Sequence, residues 1–208
     1  MPEKKYGATR GKVLRSAAKL FSESGYHKIT TREIAQASEI NVATIYHYFP
    51  SKADILKSLY ECYSTELHKV SPDLQELLQM AETLPPHEVL MKAEFHFDES
   101  VRDLLDQILV TAAREICADP ESEHFIRTNI FAPTIDILRP LLQYMMELGK
   151  IQPFDIDAFL NILSFYGYGA AALNLTSFGN SPERYQADLS FFFSLITPIG
   201  KAVNSADE

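Results

Sequence analysis

Residues 30–56 read TTREIAQASEINVATIYHYFPSKADIL, and the spacing inside this stretch decides the fold of the first sixty residues. Thr30 stands three residues before Glu33, the capping-box interval that starts a helix. Ile34 and Ala35 give that helix its inner side, with Ala37 a turn further on. Asn41 is a favoured N-cap for a second helix, on which Ile45 and Phe49 fall four apart on one face. Pro50 cannot continue that helix, and Ser51 can cap a third one beginning at Lys52. Two short helices joined by a few residues form a helix-turn-helix. Upstream, Val13, Ala17, Leu20 and Phe21 make an i, i+4, i+7, i+8 stripe, with Gly25 as its stop.

Charge is distributed in agreement with this. The chain of 208 residues carries a net charge of −9, which taken alone argues against nucleic acid. Residues 1–60 nevertheless hold ten Lys/Arg against five acids, a balance of +5, which leaves −14 for 61–208. A basic head on an acidic body can offer one face to phosphate and repel DNA elsewhere.

The stretch from Thr44 to Lys52, TIYHYFPSK, resembles the most recognisable part of the TetR family of bacterial transcriptional regulators, and the likeness extends over about residues 9–60. Glu39 departs from the pattern, standing where the family often has Gly. Either Glu39 carries a small backbone strain or the turn needs no positive φ. The resemblance implies an all-α chain with a three-helix helix-turn-helix domain for DNA at 1–60. A larger helical domain for effector binding and dimerisation is expected at 61–208.

On that basis the recognition helix enters the major groove by its N-terminal end, where Val42, Ala43 and Thr44 project. Ala43 and the Thr44 methyl suit a thymine methyl, and the Thr44 hydroxyl a base edge or phosphate. Tyr46 and His47 resemble the family's aromatic pair, whose polar tips meet phosphate. Ser51 and Lys52 lie beside them, and Lys52 adds charge at a helix start already suited to phosphate. Thr31 and Arg32 match positions that contact DNA in several family members, and Arg32 could pair with guanine. The plain alternatives are a core aromatic for Tyr46 and a solvated charge for Arg32, while Tyr48 and Phe49 are expected to pack inward.

Further along, helices are expected over 51–70, 72–83, 86–94, 100–117, 120–148 (interrupted or kinked near Pro133 and Pro140), 155–178 and 182–203. The last two are apolar on nearly all sides, and Gly167 and Gly169 permit close approach, which suits either an ordinary core pair or a homodimer interface; the resemblance favours the interface. The resemblance also implies a cavity for a largely apolar small molecule, with Phe95, Phe97, Phe131, Tyr144, Met145, Phe165 and Tyr166 as candidate lining. An aromatic at helical spacing is more often plain core.

Other classes find little support. An apolar content of 46% suffices for a sizeable core, yet no apolar run is long enough to span a membrane and no signal-peptide pattern opens the chain. Cys62 and Cys117 match no disulfide or metal spacing and suit a reducing cytoplasm. His87, His96 and His124 lack ligand spacing and read as surface residues, so neither metal nor cofactor is expected. No GxSxG, P-loop or dinucleotide fingerprint points to an enzyme. The expected function is a ligand-responsive repressor of a palindromic double-stranded DNA operator. The rival is a helix-turn-helix module for architecture or protein binding that takes no small molecule.

Overall fold

A computed structural model of the chain describes residues 7–172 together with Ala187, Phe191, Phe193 and Ile196. The described residues are helical with no strand. The head comprises α1 (Ala8–Ser24), α2 (Thr31–Ala37), α3 (Val42–Tyr48) and the start of α4 (Lys52–Val70). The body continues with α5 (Leu74–Thr83), α6 (Pro86–Lys92), α7 (Glu99–Glu115), α8 (Pro120–Ile126), α9 (Ala132–Glu147) and α10 (Ile156–Ala172). The helix expected over 182–203, and the end of the one expected over 155–178, fall almost wholly outside the described residues.

The sequence sets most of these starts through side-chain caps. Asn41, Ser51, Asp73, Asp98 and Asp119 each accept a hydrogen bond from a backbone N–H in the first turn that follows. Asp119 is followed by Pro120 at the first helical position, where a missing N–H costs nothing. The long rod from Pro120 is interrupted where expected, by a single wide π turn over Arg127–Phe131 just before Pro133. There the Ala132 N–H reaches back to the Arg127 carbonyl, five residues away. Proline cannot donate to the carbonyl four residues earlier and its ring crowds that turn, so widening the helix ahead of Pro133 accommodates it. Asn129, inside the turn, donates to the Phe125 carbonyl at 3.1 Å and receives the Ser64 hydroxyl from α4 at 2.6 Å. Pro140 lies inside α9 without ending it.

Burial divides into two cores. The first joins α1, α2 and α3 to α4, α7 and α8, with Phe21, Ile34, Ile45, Phe49, Ile55, Leu59, Leu105, Ile108 and Ile126 fully enclosed. The second gathers α5, α6, α9 and α10 around Leu90, Leu141, Leu142 and Met145, with Phe193 and Ile196 joining it. Residue 60 therefore lies in the middle of α4 and inside the first core, and the polar head has no flexible linker behind it. Tyr60 stacks on Phe125 at 4.2 Å between centroids, and its hydroxyl meets Ser122 at 2.7 Å. Burial pushes that phenol well above its ordinary range.

The turn between α2 and α3 answers the question left by Glu39. Its φ is +57°, and it is the left-handed residue that closes α2. The Ile40 N–H bonds to the Ala35 carbonyl at 3.0 Å and the Glu39 N–H to Gln36 at 3.1 Å, a Schellman closure. Gly149 closes α9 by the same pattern with φ +68°, free of the Cβ cost. Glu39 is thus the strained alternative. Glu39→Gly should raise stability by up to about 1 kcal/mol, less whatever glycine adds to the entropy of the unfolded chain. A urea titration comparing midpoints at equal slope checks it.

Candidate nucleic-acid interface

The caps that start α2 and α3 also fix what their outer faces present. Thr30 and Glu33 bond reciprocally: the Thr30 N–H donates to the Glu33 carboxylate at 2.7 Å, and the Glu33 N–H donates to the Thr30 hydroxyl oxygen at 3.3 Å. These bonds hold the Glu33 carboxyl below its ordinary range, the Thr30 backbone N–H contributing most. On α3, Asn41 Oδ1 accepts from the Thr44 N–H at 2.7 Å and from the Thr44 hydroxyl at 2.9 Å. The Thr44 hydroxyl proton is therefore spent locally, leaving its lone pairs and its methyl to face outward.

Ile45 and Phe49 are buried as their spacing predicts, and they turn the opposite side of α3 to solvent. Ala43, Tyr46 and His47 are exposed, with Tyr46 52% accessible; Val42 and Thr44 are half-buried. Tyr46 is therefore not a core residue. Tyr48 contradicts the expectation of inward packing: it is 41% accessible, and its ring meets His47 edge-on at 5.2 Å. The pattern four apart from Ile45 selects Phe49, and Tyr48 lies about 100° round the helix from it. Arg32 is exposed and Thr31 half-buried at the start of α2. Arg10 braces this arrangement from α1. Its guanidinium donates to Ser58 at 3.0 Å and lies 5.0 Å from the centre of the Phe49 ring.

Ser51 and Lys52 are differently occupied. The Ser51 hydroxyl donates to the Asp54 carboxylate at 2.7 Å and accepts from the Asp54 N–H, which caps α4. The Lys52 ammonium donates to the carbonyls of Tyr26 and Ile29, both at 2.9 Å, and lies 4.2 Å from the centre of the Tyr26 ring. Desolvation lowers its pKa, opposed by Glu115 and Glu33. This lysine is first a clamp on the loop between α1 and α2, a role the sequence did not reveal because its partners stand 26 and 23 positions upstream.

The candidate effector residues do not fall together. Phe95, Phe97 and Phe131 pack against the first core, Tyr144 against the second, and Met145 is fully enclosed within the second. The Tyr144 hydroxyl donates to Glu82 at 3.0 Å. Phe165 is 70% accessible, 6.5 Å from Phe131 between centroids, and Tyr166 is half-buried. An open cleft of about 700 Å³ lies instead between α5 and α6, floored by Leu77, Met80 and Met91 and rimmed by Asp73, Glu76, Glu88 and His87. None of the seven expected residues lines it. His87, His96 and His124 are exposed.

Similarity to known proteins follows the head most closely. The family model for bacterial regulatory proteins of the tetR family matches residues 13–59. A probable HTH-type transcriptional regulator of Bacillus subtilis, YttP, is 32% identical over 35% of this chain and 40% of its own length. YerO of the same organism is 26% identical over 86% of this chain but 50% of its own length, so the chain spans half or less of these curated relatives. Among solved structures, the ketosteroid transcriptional regulator KstR2 of Mycobacterium tuberculosis superposes with a TM-score of 0.66 at 21% identity, covering 91% of this chain and 95% of that one. A gamma-butyrolactone receptor superposes at 0.64 and 19% identity, covering 94% and 91%. These two establish likeness of fold.

Thr30→Ala should cost about 1 kcal/mol by opening the cap of α2. The sign of the pH effect follows from Glu33: a carboxyl held below its unfolded value of 4.5 contributes stability that is present above that pH and lost as the pH falls through the depressed value. Chemical denaturation from pH 7 to 3 should show Glu33→Gln losing its penalty relative to the parent at the acid end.

Proposed function

We propose, for a chain that belongs to the tetR family of bacterial regulatory proteins, that it represses transcription from a palindromic operator and is released by a small molecule. The observation that carries the DNA reading is the outer face of α3. Ala43, Tyr46 and His47 are exposed there while Ile45 and Phe49 anchor the helix beneath them, on a head of charge +5. Ala43 and the Thr44 methyl offer apolar contact to thymine, the Tyr46 hydroxyl and the His47 ring offer donors to phosphate, and Arg32 offers a fork to guanine. Thr31, Val42, Ser51 and Lys52 complete the proposed contact set; the last two contribute through the caps and clamp described above.

A palindrome requires two heads, and the body offers a face to bring them together. Ile162 and Phe165 on α10 are 56% and 70% accessible, and Phe191 is 62% accessible. Large accessible apolar side chains are the kind that association covers, which supports this face as the proposed interface. Leu175, in the expected interface, lies outside the described residues. The effector is proposed to be a largely apolar small molecule seated against the half-buried aromatics Phe95, Phe97 and Phe131 at the edge of the first core. Support by analogy comes from neighbours of the same fold, one a gamma-butyrolactone receptor and one a ketosteroid regulator.

The experiment is selection of a preferred duplex from a random library, followed by anisotropy titrations at several salt concentrations. Affinity should fall steeply with salt, roughly as the number of phosphates neutralised. Arg32→Ala should relax preference at one base per half-site, at about 1–3 kcal/mol for the favoured base. Weakening spread evenly over all sequences would make Arg32 a phosphate contact instead. Phe165→Asp combined with Ile162→Asp should give a monomer by sedimentation that no longer holds the palindrome tightly. A parent chain that sediments as a monomer at micromolar concentration would refute the dimer.

A further inference from the structure

Among the described residues, the body grips the head outside their shared core at the end of α1 and the loop over residues 25–29. Glu115 is the last residue of α7 and is only 7% accessible. One of its oxygens accepts the Tyr26 backbone N–H at 3.0 Å, and the other lies 3.3 Å from His27 Nε2. Arg114, next to it, donates to the Glu23 carbonyl at 3.1 Å, at the end of α1. The Lys52 clamp on the Tyr26 and Ile29 carbonyls holds the same loop, with the Glu115 charge acting on the Lys52 ammonium. The ring of Tyr26 is held edge-on to Phe21 at 5.2 Å. Gly25 turns the chain into this grip with φ +91°, and a Cβ there would lie 3.6 Å from Glu115 Oε1.

Glu115 is an expensive residue for its place. A carboxylate at the C-terminal end of a helix faces the negative pole of the helix dipole, and burying it costs free energy unless it is paired. Its carboxylate oxygens meet Tyr26 and His27, both of the head, 89 and 88 positions upstream. The held segment runs straight into Ile29, Thr30 and the first turn of α2, which presents Thr31 and Arg32. We infer that Glu115 is a positioning residue for DNA binding: from the body, without touching DNA, it fixes the loop that sets the pose of α2 and α3. The inference rests on the head being the DNA-binding unit. It also gives the body a polar hold on the head besides their shared apolar core.

The sign of one substitution separates this from the alternatives. Removing a negative charge from a protein that binds a polyanion should tighten binding through electrostatics alone. Removing a positioning group should weaken it. With the library-selected duplex, and with the active fraction fixed by stoichiometric titration, Glu115→Ala is expected to weaken affinity by about 5–150-fold, the usual size of coupling between sites. The slope of log K against log salt should stay unchanged, because no phosphate contact is lost. Glu115→Gln keeps an acceptor for the Tyr26 N–H and should recover most of the loss. Hydrogen exchange should accelerate at the Tyr26 amide in the alanine variant and stay slow within the first core. If the alanine variant does not fold, Glu115→Met fills the same space without accepting a hydrogen bond and carries the same expectation. Affinity equal to or tighter than the parent's, or a slope changed by a full unit, overturns the inference. A parent chain that selects no duplex removes the DNA-binding reading itself, and this inference with it.

Discussion

The recognition face depends on α4 being packed along its whole length in one core. Its first turns bury Ile55, Leu56 and Leu59, and its later turns bury Tyr60, Cys62, Tyr63 and Leu67, all within the cluster that also holds Phe21, Ile34 and Ile45 of the head. Sixty residues alone bury a modest share of their surface and make a marginal domain. Here the head draws on Val101, Leu104, Leu105, Ile108 and Ala112 of α7 and on Phe125 and Ile126 of α8. Full burial of each large aliphatic side chain contributes about 1.5–3 kcal/mol, so separating head from body would expose several such residues at once. The head consequently keeps a fixed bearing on the body, and the short helices α2 and α3, too short to be stable alone, keep a fixed bearing on each other.

Local chemistry was legible in the sequence to the extent that its causes were local. Thr30, Asn41 and Ser51 were readable as caps because each bonds within three residues, and Pro133 signalled an interruption because the ring acts on its own helix. What the sequence hid was decided at a distance. The Lys52 ammonium looked free for phosphate until Tyr26 and Ile29 folded against it. Glu115 carries no local signal, because Tyr26 and His27 stand 89 and 88 positions upstream of it. Tyr48 sits beside the buried Phe49 in sequence, yet the turn of the helix carries it out to solvent. The seven candidate effector residues shared a composition but not a core: periodicity marks a residue as inward-facing without saying which interior it joins.

The presence of two cores in one body has a mechanical consequence. Close-packed interiors shift between discrete arrangements more readily than they deform continuously. The cheapest place for a guest molecule is the boundary between packed units, where half-buried side chains already have incomplete contacts. Phe95, Phe97 and Phe131 stand at the edge of the core that contains the head. A guest seated against them would bear on Tyr63 of α4 through Phe97 and on Phe165 of α10 through Phe131, and would reach α2 and α3 only through what α4 and α7 hold. The buried face of α7 packs against α1, and its last residue holds the Tyr26 loop. A displacement of α7 along its axis would therefore reach α2 by two routes, one apolar and one polar, of different stiffness. Apolar contacts tolerate small slips because they are non-directional. The bond from the Tyr26 N–H to Glu115 does not, since hydrogen bonds weaken steeply once bent or stretched. Of the two routes, the polar one is suited to turning a small movement of the body into a change of pose in the head.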